Sequence, residues 1–234
     1  MNLNVSVGEM VAERPGRARI FEQIGIDYCC GGKVAFGEAC ASLGLDPQTV
    51  AAKLSDAETA AGNGALDPAA MSLSELIQNI VDTHHAFLRR ELPRLDQLLE
   101  KTIKAHSEKD ARLAHLREVF HDFRDEIFLH MMKEEQILFP MIRNLESSGS
   151  STPIHCGSIT NPIRVMESEH QSAGDALAMM RAFTDGFVAP ESACNTWRAL
   201  CSGLADLERD THEHIHKENN ILFPRALFLS DVSE

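Results

Sequence analysis

One string that occurs twice constrains this chain more than any other feature. The pattern H-x-x-x-E-x-x-I-L-F-P runs from His130 to Pro140 and again from His214 to Pro224, with His130/His214 and Glu134/Glu218 both displaced by 84 residues. A spacing of four puts His and Glu on one helix face, one turn apart. Ile137 and Leu138, then Ile221 and Leu222, continue that face, so it is expected to point inward. A His and a carboxylate aimed into an apolar core need compensation, and a metal ion supplies it. The repeat also ranks the neighbours. His212 and His216 form another four-spaced pair, but their counterparts are Phe128 and Met132, and Glu135 corresponds to Asn219. These are expected at the surface or behind the ligands. A lone His on an apolar face is usually a hydrogen-bonded core residue, but that reading does not explain a pair built twice.

The surrounding pattern is helical. Ser72 and Glu75 make a capping box, and Leu73, Leu76, Ile77, Ile80, Val81, Leu88, Leu92 and Leu95 recur at helical spacing. Pro93 is expected to kink this first helix. A polar stretch from His106 to Asp110 precedes a second helix reaching about Leu145. A loop from Ser147 to Pro153 follows, and two more helices divide near Ala189–Ser192. Four long helices with short connections predict an all-α, up-down-up-down bundle. His85 shares the apolar stripe of the first helix, whereas His84 shares a face with Glu91. His170 is in line with Ile163, Met166, Ala173 and Leu177. Antiparallel helices bring residues level when the turn lies midway between them. At about 1.5 Å rise per residue, the midpoints all fall on expected turns. His85, His130, His170 and His214 therefore converge with Glu134 and Glu218 on one layer. Four imidazoles and two carboxylates suit two iron ions, each Glu able to bridge and each ion left with open positions. Manganese or zinc would accept the same donors.

Residues 1–60 read as a small helical domain, 61–70 as a Gly/Ala-rich linker and 71–230 as the bundle domain. In the first segment Ser6 and Glu9 make a capping box, Pro15 suits a first turn, and Asp46-Pro47 opens a helix. About sixty residues make only a marginal core, which leaves room for a partner surface or a homodimer. Between these helices lies the run from Asp27 to Gly32, with Cys29 and Cys30 adjacent. A bridge between neighbours would need a strained small ring. Gly31 and Gly32 are expected to let the backbone expose both sulfurs, which are soft donors for iron if their pKa is lowered. Cys40, Cys156, Cys194 and Cys201 lack metal spacing and are read as small core or surface residues.

Twenty-two Lys and Arg against 35 Asp and Glu leave a net charge of −13, which argues against a nucleic-acid partner. No apolar run approaches the ~18 residues of a membrane span. The N-terminus lacks the basic-then-apolar pattern of a signal peptide, so a cytoplasmic location is expected. Six Cys in such a chain point to thiol or metal chemistry rather than a disulfide framework.

With the Asp27–Gly32 run, the Glu167–His170 string and the twin His/Glu repeat, the chain resembles the repair of iron centres family over nearly its whole length. The resemblance implies a short N-terminal domain with paired cysteines, followed by a hemerythrin-like four-helix domain. It also implies a non-haem di-iron centre, oxo-bridged when oxidised, and repair of iron–sulfur clusters after nitrosative or oxidative stress. The implied iron ligands are His85, His130, His170 and His214. Glu134 and Glu218 are the bridging carboxylates, and Cys29 and Cys30 the thiols that receive or guide iron. His85 is favoured over His84 because the family's first ligand lies eight residues before a Pro, here Pro93. Glu126 and Asp210, one turn before His130 and His214, are candidates for lining an exit route, although ordinary solvated or supporting acids are the simpler reading. The expected partners are damaged iron–sulfur proteins and an unidentified reductant. The alternatives are an NO or O₂ sensor or scavenger, and NO reduction at the two irons.

Overall fold

The computed structural model describes residues 1–60, 67–148 and 159–231. Residues 61–66 of the expected linker, the loop from Gly149 to Pro153 and Cys156 fall outside them. The fold is all-α. Among the described residues the only β-type pairing is an isolated bridge between Ser6 and Ala35. The chain gathers into two compact units, and their boundaries cut continuous helices. One contains Met1–Ile77, Ile142–Ser158 and Glu213–Glu234; the other contains Gln78–Met141 and Ile159–His212.

The second unit is built from four helical segments. The first is the end of α5 (Leu73–Ile80), a π-helical turn over Val81–His85, and α6 (Ala86–His106). The others come from α7 (Arg112–Lys133) with the π-helical turn Glu134–Leu138, α9 (Thr160–Phe183), and α10 (Asn195–Lys217). Leu88, Leu92, Leu95 and Leu99 form a fully buried ladder on α6, each side chain contributing about 1.5–3 kcal/mol. Pro93 lies inside α6 without ending it. Polar contacts fix the neighbours around the core. His121 of α7 meets Asp96 of α6 at 2.8 Å, and Arg181 of α9 forks onto Glu208 of α10. The α6–α7 connection falls at Ser107–Ala111, as expected. The α9–α10 connection contains three consecutive left-handed residues, Asp185, Gly186 and Phe187, and Arg112 binds both oxygens of Asp185.

The first unit holds α1 (Val7–Glu13), α2 (Ala18–Ile24), α3 (Phe36–Ser42) and α4 (Pro47–Ala60). It also holds the start of α5, most of α8 (Phe139–Ser148), and α11 (Phe223–Asp231) behind a third π-helical turn, Glu218–Leu222. The expected caps are present. Ser6 and Glu9 form a reciprocal box, Asp46 accepts from Gln48 and Thr49, and Ser72 pairs with Glu75. Glu146 adds a carboxylate at the α5 N-terminus, accepting from the amides of Leu73 and Ser74 at 2.7 and 2.9 Å; negative charge is favourable at that end of a helix.

Candidate metal centre

In the second unit, Glu134 opens a π-helical turn and is fully buried. Its two oxygens face different helices. Oε2 lies 3.3 Å from Nε2 of His85, and Oε1 lies 3.2 Å from Nε2 of His130. His170 on α9 brings its Nε2 to 3.0 Å from that of His130. All three imidazoles are at most 2 % exposed. Three helices therefore meet at the height expected from the turn midpoints.

The outer nitrogens of two of these rings are held by carboxylates. His85 Nδ1 is 2.6 Å from Glu135 Oε1, which Arg89 also approaches at 2.7 Å. His130 Nδ1 is 2.9 Å from Glu169, which Lys133 also binds. The hydrogen bond from His130 leads the effects that hold the Glu169 carboxyl down at about 2. Burial would raise Glu135, but His85 and Arg89 outweigh it and keep that carboxyl below its usual range. An ionised carboxylate at Nδ1 keeps the ring proton there and turns the Nε2 lone pair inward. Two such lone pairs facing a buried carboxylate call for positive charge in that space, either a proton or a metal ion. The 3.0–3.3 Å separations match neighbouring donors on one ion, which roughly 2.1 Å bonds place about 3.0–3.4 Å apart. The residues present fit a cation.

The repeat recurs in the first unit. His214 Nε2 lies 3.2 Å from Glu218 Oε1, the same separation as in the His130–Glu134 pair, and both residues are fully buried. Glu218 likewise opens a π-helical turn, so the two strings match in backbone as well as sequence.

Several neighbours differ from expectation. His84 is as buried as His85, because a π-helical turn lets adjacent residues both face inward; its Nδ1 pairs with Asp210 at 3.0 Å. Glu126 is exposed and lines a cleft of about 210 Å³ with His130, Lys133, Glu169 and Ser172. Ile137 does not point inward; it is 55 % exposed, whereas its counterpart Ile221 is 4 % exposed. The helix turn is the same in both copies, but Ile221 is covered within its unit beside Val11 and Tyr28.

The paired thiols occupy a turn organised by Asp27. Its Oδ1 accepts from the amides of Cys29 and Cys30, and its Oδ2 from Gly31. The sulfurs are unbridged and 3.8 Å apart, and Asp27 Oδ1 lies 3.3 Å from Cys29 Sγ. Only Cys30 reaches partly to the surface; Cys29 is 4 % exposed, so the glycines do not present both sulfurs. Asn220, two residues after Glu218, donates to the carbonyls of Tyr28 and Cys29 and packs into Gly8 and Gly32. A Cβ at Gly32 would meet Asn220 at 2.3 Å and the Tyr28 carbonyl at 2.7 Å. That close approach is the role of this glycine. The Cys30 sulfur, then burial and Asp27, raises the Cys29 thiol well above its usual range. A metal ion bound there would have to displace a proton. Asp27, with ligand atoms in reach of both thiols, is a third candidate donor that sequence reasoning missed; its only local signal was a position two residues before Cys29. Glu169 was visible only as the residue before His170.

Comparison with known proteins matches two stretches of the chain. The Hemerythrin HHE cation binding domain matches residues 76–226, and the ScdA_N domain of unknown function (DUF542) matches residues 3–58. Proteins named iron-sulfur cluster repair protein YtfE, from Yersinia pseudotuberculosis serotype IB and Yersinia pestis strain Pestoides F, are each 38 % identical over 224 residues, covering 96 % of this chain and 97 % of theirs. Buried His/Glu clusters inside a hemerythrin-type domain make this a site for non-haem iron.

Proposed function

The chain belongs to the repair of iron centres family, and from that premise we propose that it carries two iron ions and returns iron to damaged iron–sulfur clusters. His85 and His214 would hold one ion and His130 and His170 the other, with Glu134 and Glu218 offering oxygens to both. The observation that carries this reading is Glu134: a fully buried carboxylate with each oxygen directed to a different imidazole, the disposition of a bridging ligand. Bound iron supplies a redox pair that can be held or given up.

This chain's residues set the terms of release. Glu134 and Glu218 would set two negative charges against the four positive of a diferrous pair or the six of a diferric one, so each ion would be more weakly attracted once reduced. Glu135 and Glu169 orient His85 and His130 and raise their basicity. Glu126, on the cleft that reaches His130, lines an exit. The domain of residues 1–60 is the delivery end, where Cys29 and Cys30, with Asp27, receive iron or dock on a damaged cluster. The protein acts in the cytoplasm, on damaged iron–sulfur proteins and with a separate reductant.

The cleft also favours a second reading, in which NO or O₂ reaches the open iron positions. One experiment separates the two. The reduced, iron-loaded protein is mixed with an iron-depleted iron–sulfur enzyme while iron content, enzyme activity and NO consumption are followed. Iron transfer that restores activity without NO supports repair; rapid NO consumption without transfer supports the alternative.

A further inference from the structure

Among the described residues, the thiol with the most reactive surroundings is not in the paired-cysteine turn. Cys194 is exposed and caps α10: its carbonyl accepts from Arg198, the first bond of a 23-residue helix. Its sulfur sits 3.2 Å from Nε2 of His106, at the end of α6. The amides of Trp197 and Thr196 also point at it, and the His106 ring packs on the Trp197 indole at 5.0 Å. An imidazole and two helix N-terminal amides thus converge on one solvent-facing sulfur, an arrangement that favours a thiolate. We propose that Cys194 and His106 form a nucleophilic thiol site that exchanges with low-molecular-weight disulfides.

The Trp197 amide, then His106, draws the thiol down to about 7, near the optimum for an attacking thiol at neutral pH. By contrast, burial raises Cys40 and Cys201, and the Cys30 sulfur and burial raise Cys29. Cys201 lies seven residues further along the same helix. Two turns there span about 10 Å, beyond the reach of a disulfide, so Cys194 has no bridge to it. In the exchange, the Cys194 thiolate attacks one sulfur of the incoming disulfide. A Cys194 S–S bond forms as the original S–S bond breaks, and the released thiolate takes up the proton that Cys194 gave up. The products are a mixed disulfide and one free thiol, with no other oxidant consumed. A thiol reductant reverses the step. The site is independent of the iron-repair reading, because none of its groups is a proposed iron ligand.

The test treats the full-length protein with glutathione disulfide at pH 7 and maps the adduct by peptide mass. Trp197 is the single tryptophan of the chain, so its fluorescence reports the reaction in real time. A thiol near 7 has about 15 times the thiolate of an ordinary one near 8.5, and lower basicity gives back about fivefold. Cys194 is therefore expected to react about threefold faster than an unstructured cysteine peptide. Tryptophan emission should change in step, and Cys194→Ser should abolish both signals. His106→Gln should slow the reaction toward the peptide rate while leaving iron content unchanged. Should that variant fail to fold, the native rate against the peptide decides. An adduct mapped to another cysteine, Cys194 reacting at the peptide rate, or a folded His106→Gln protein as fast as the native one would overturn the proposal.

Discussion

Ligand assignments separate most sharply where two similar residues lie side by side. His84 and His85 are both buried, but His85 faces Glu134 at 3.3 Å whereas His84 is paired with Asp210. His85→Leu should remove about half or more of the bound iron, whereas His84→Leu should leave most of it, as read by metal analysis. Glu134→Leu and Glu218→Leu should likewise cost more iron than Glu135→Leu, because Glu135 only supports His85 from behind. Equal losses would mean that the repeat does not mark the ligands. His216 gives a pH signature of its own. Burial lowers its pKa to about 4 from 6.5, so the folded ring stays neutral and accepts from Asn220. In the unfolded chain it protonates below about 6.5, so the unfolded state binds more protons between pH 6.5 and 4. Stability should therefore be intact above pH 6.5 and fall as pH drops through that window, by up to about 3 kcal/mol from this group. His216→Gln should flatten that part of the urea-unfolding stability profile; an unchanged slope would assign the loss to other groups.

Among the described elements, three π-helical turns carry candidate ligands. Two begin at the repeated glutamates and one ends at His85. A widened turn changes which residues face inward, and such turns recur at functional sites. Gly32 tests the turn that holds the thiols. Gly32→Ala drives a methyl group into the Asn220 amide and the Tyr28 carbonyl, and should destabilise the protein by about 1–3 kcal/mol in urea unfolding. Gly16→Ala, with open space around its Cβ position, should not. Much of this architecture was legible beforehand. The helices, their caps, the turn between α6 and α7, and the burial of His85, His130, Glu134, His170, His214 and Glu218 all follow from periodicity and the repeat. The π-helical turns did not, because an extra residue in a turn leaves no mark in an apolar pattern. For the same reason His84 was assigned to the wrong environment, whereas Ile137 differs from Ile221 only in what covers it. The turn that buries Cys29 is tied to Asn220, nearly two hundred residues away, and the His106–Cys194 pair joins residues with no local spacing; contacts of that kind have no sequence period.

For the molecule as a whole, the account divides iron storage from delivery. Every proposed iron ligand of the two-ion centre lies in the stretch matched by the hemerythrin-type domain, and both paired thiols lie in the N-terminal match. Replacing Cys29 and Cys30 with Ser should leave the iron content and absorption spectrum unchanged. Serine keeps the shape but is a poor soft donor, so iron delivery to a damaged cluster should fall severalfold. Repair at the native rate would leave the thiols without a transfer role. The claim on which all of this depends is the number of ions that the His/Glu layer holds. Metal analysis of the full chain, purified after expression with iron and without chelators, tests it most directly. The account predicts two iron ions per chain; a single zinc ion, or no metal after iron reconstitution, would contradict it.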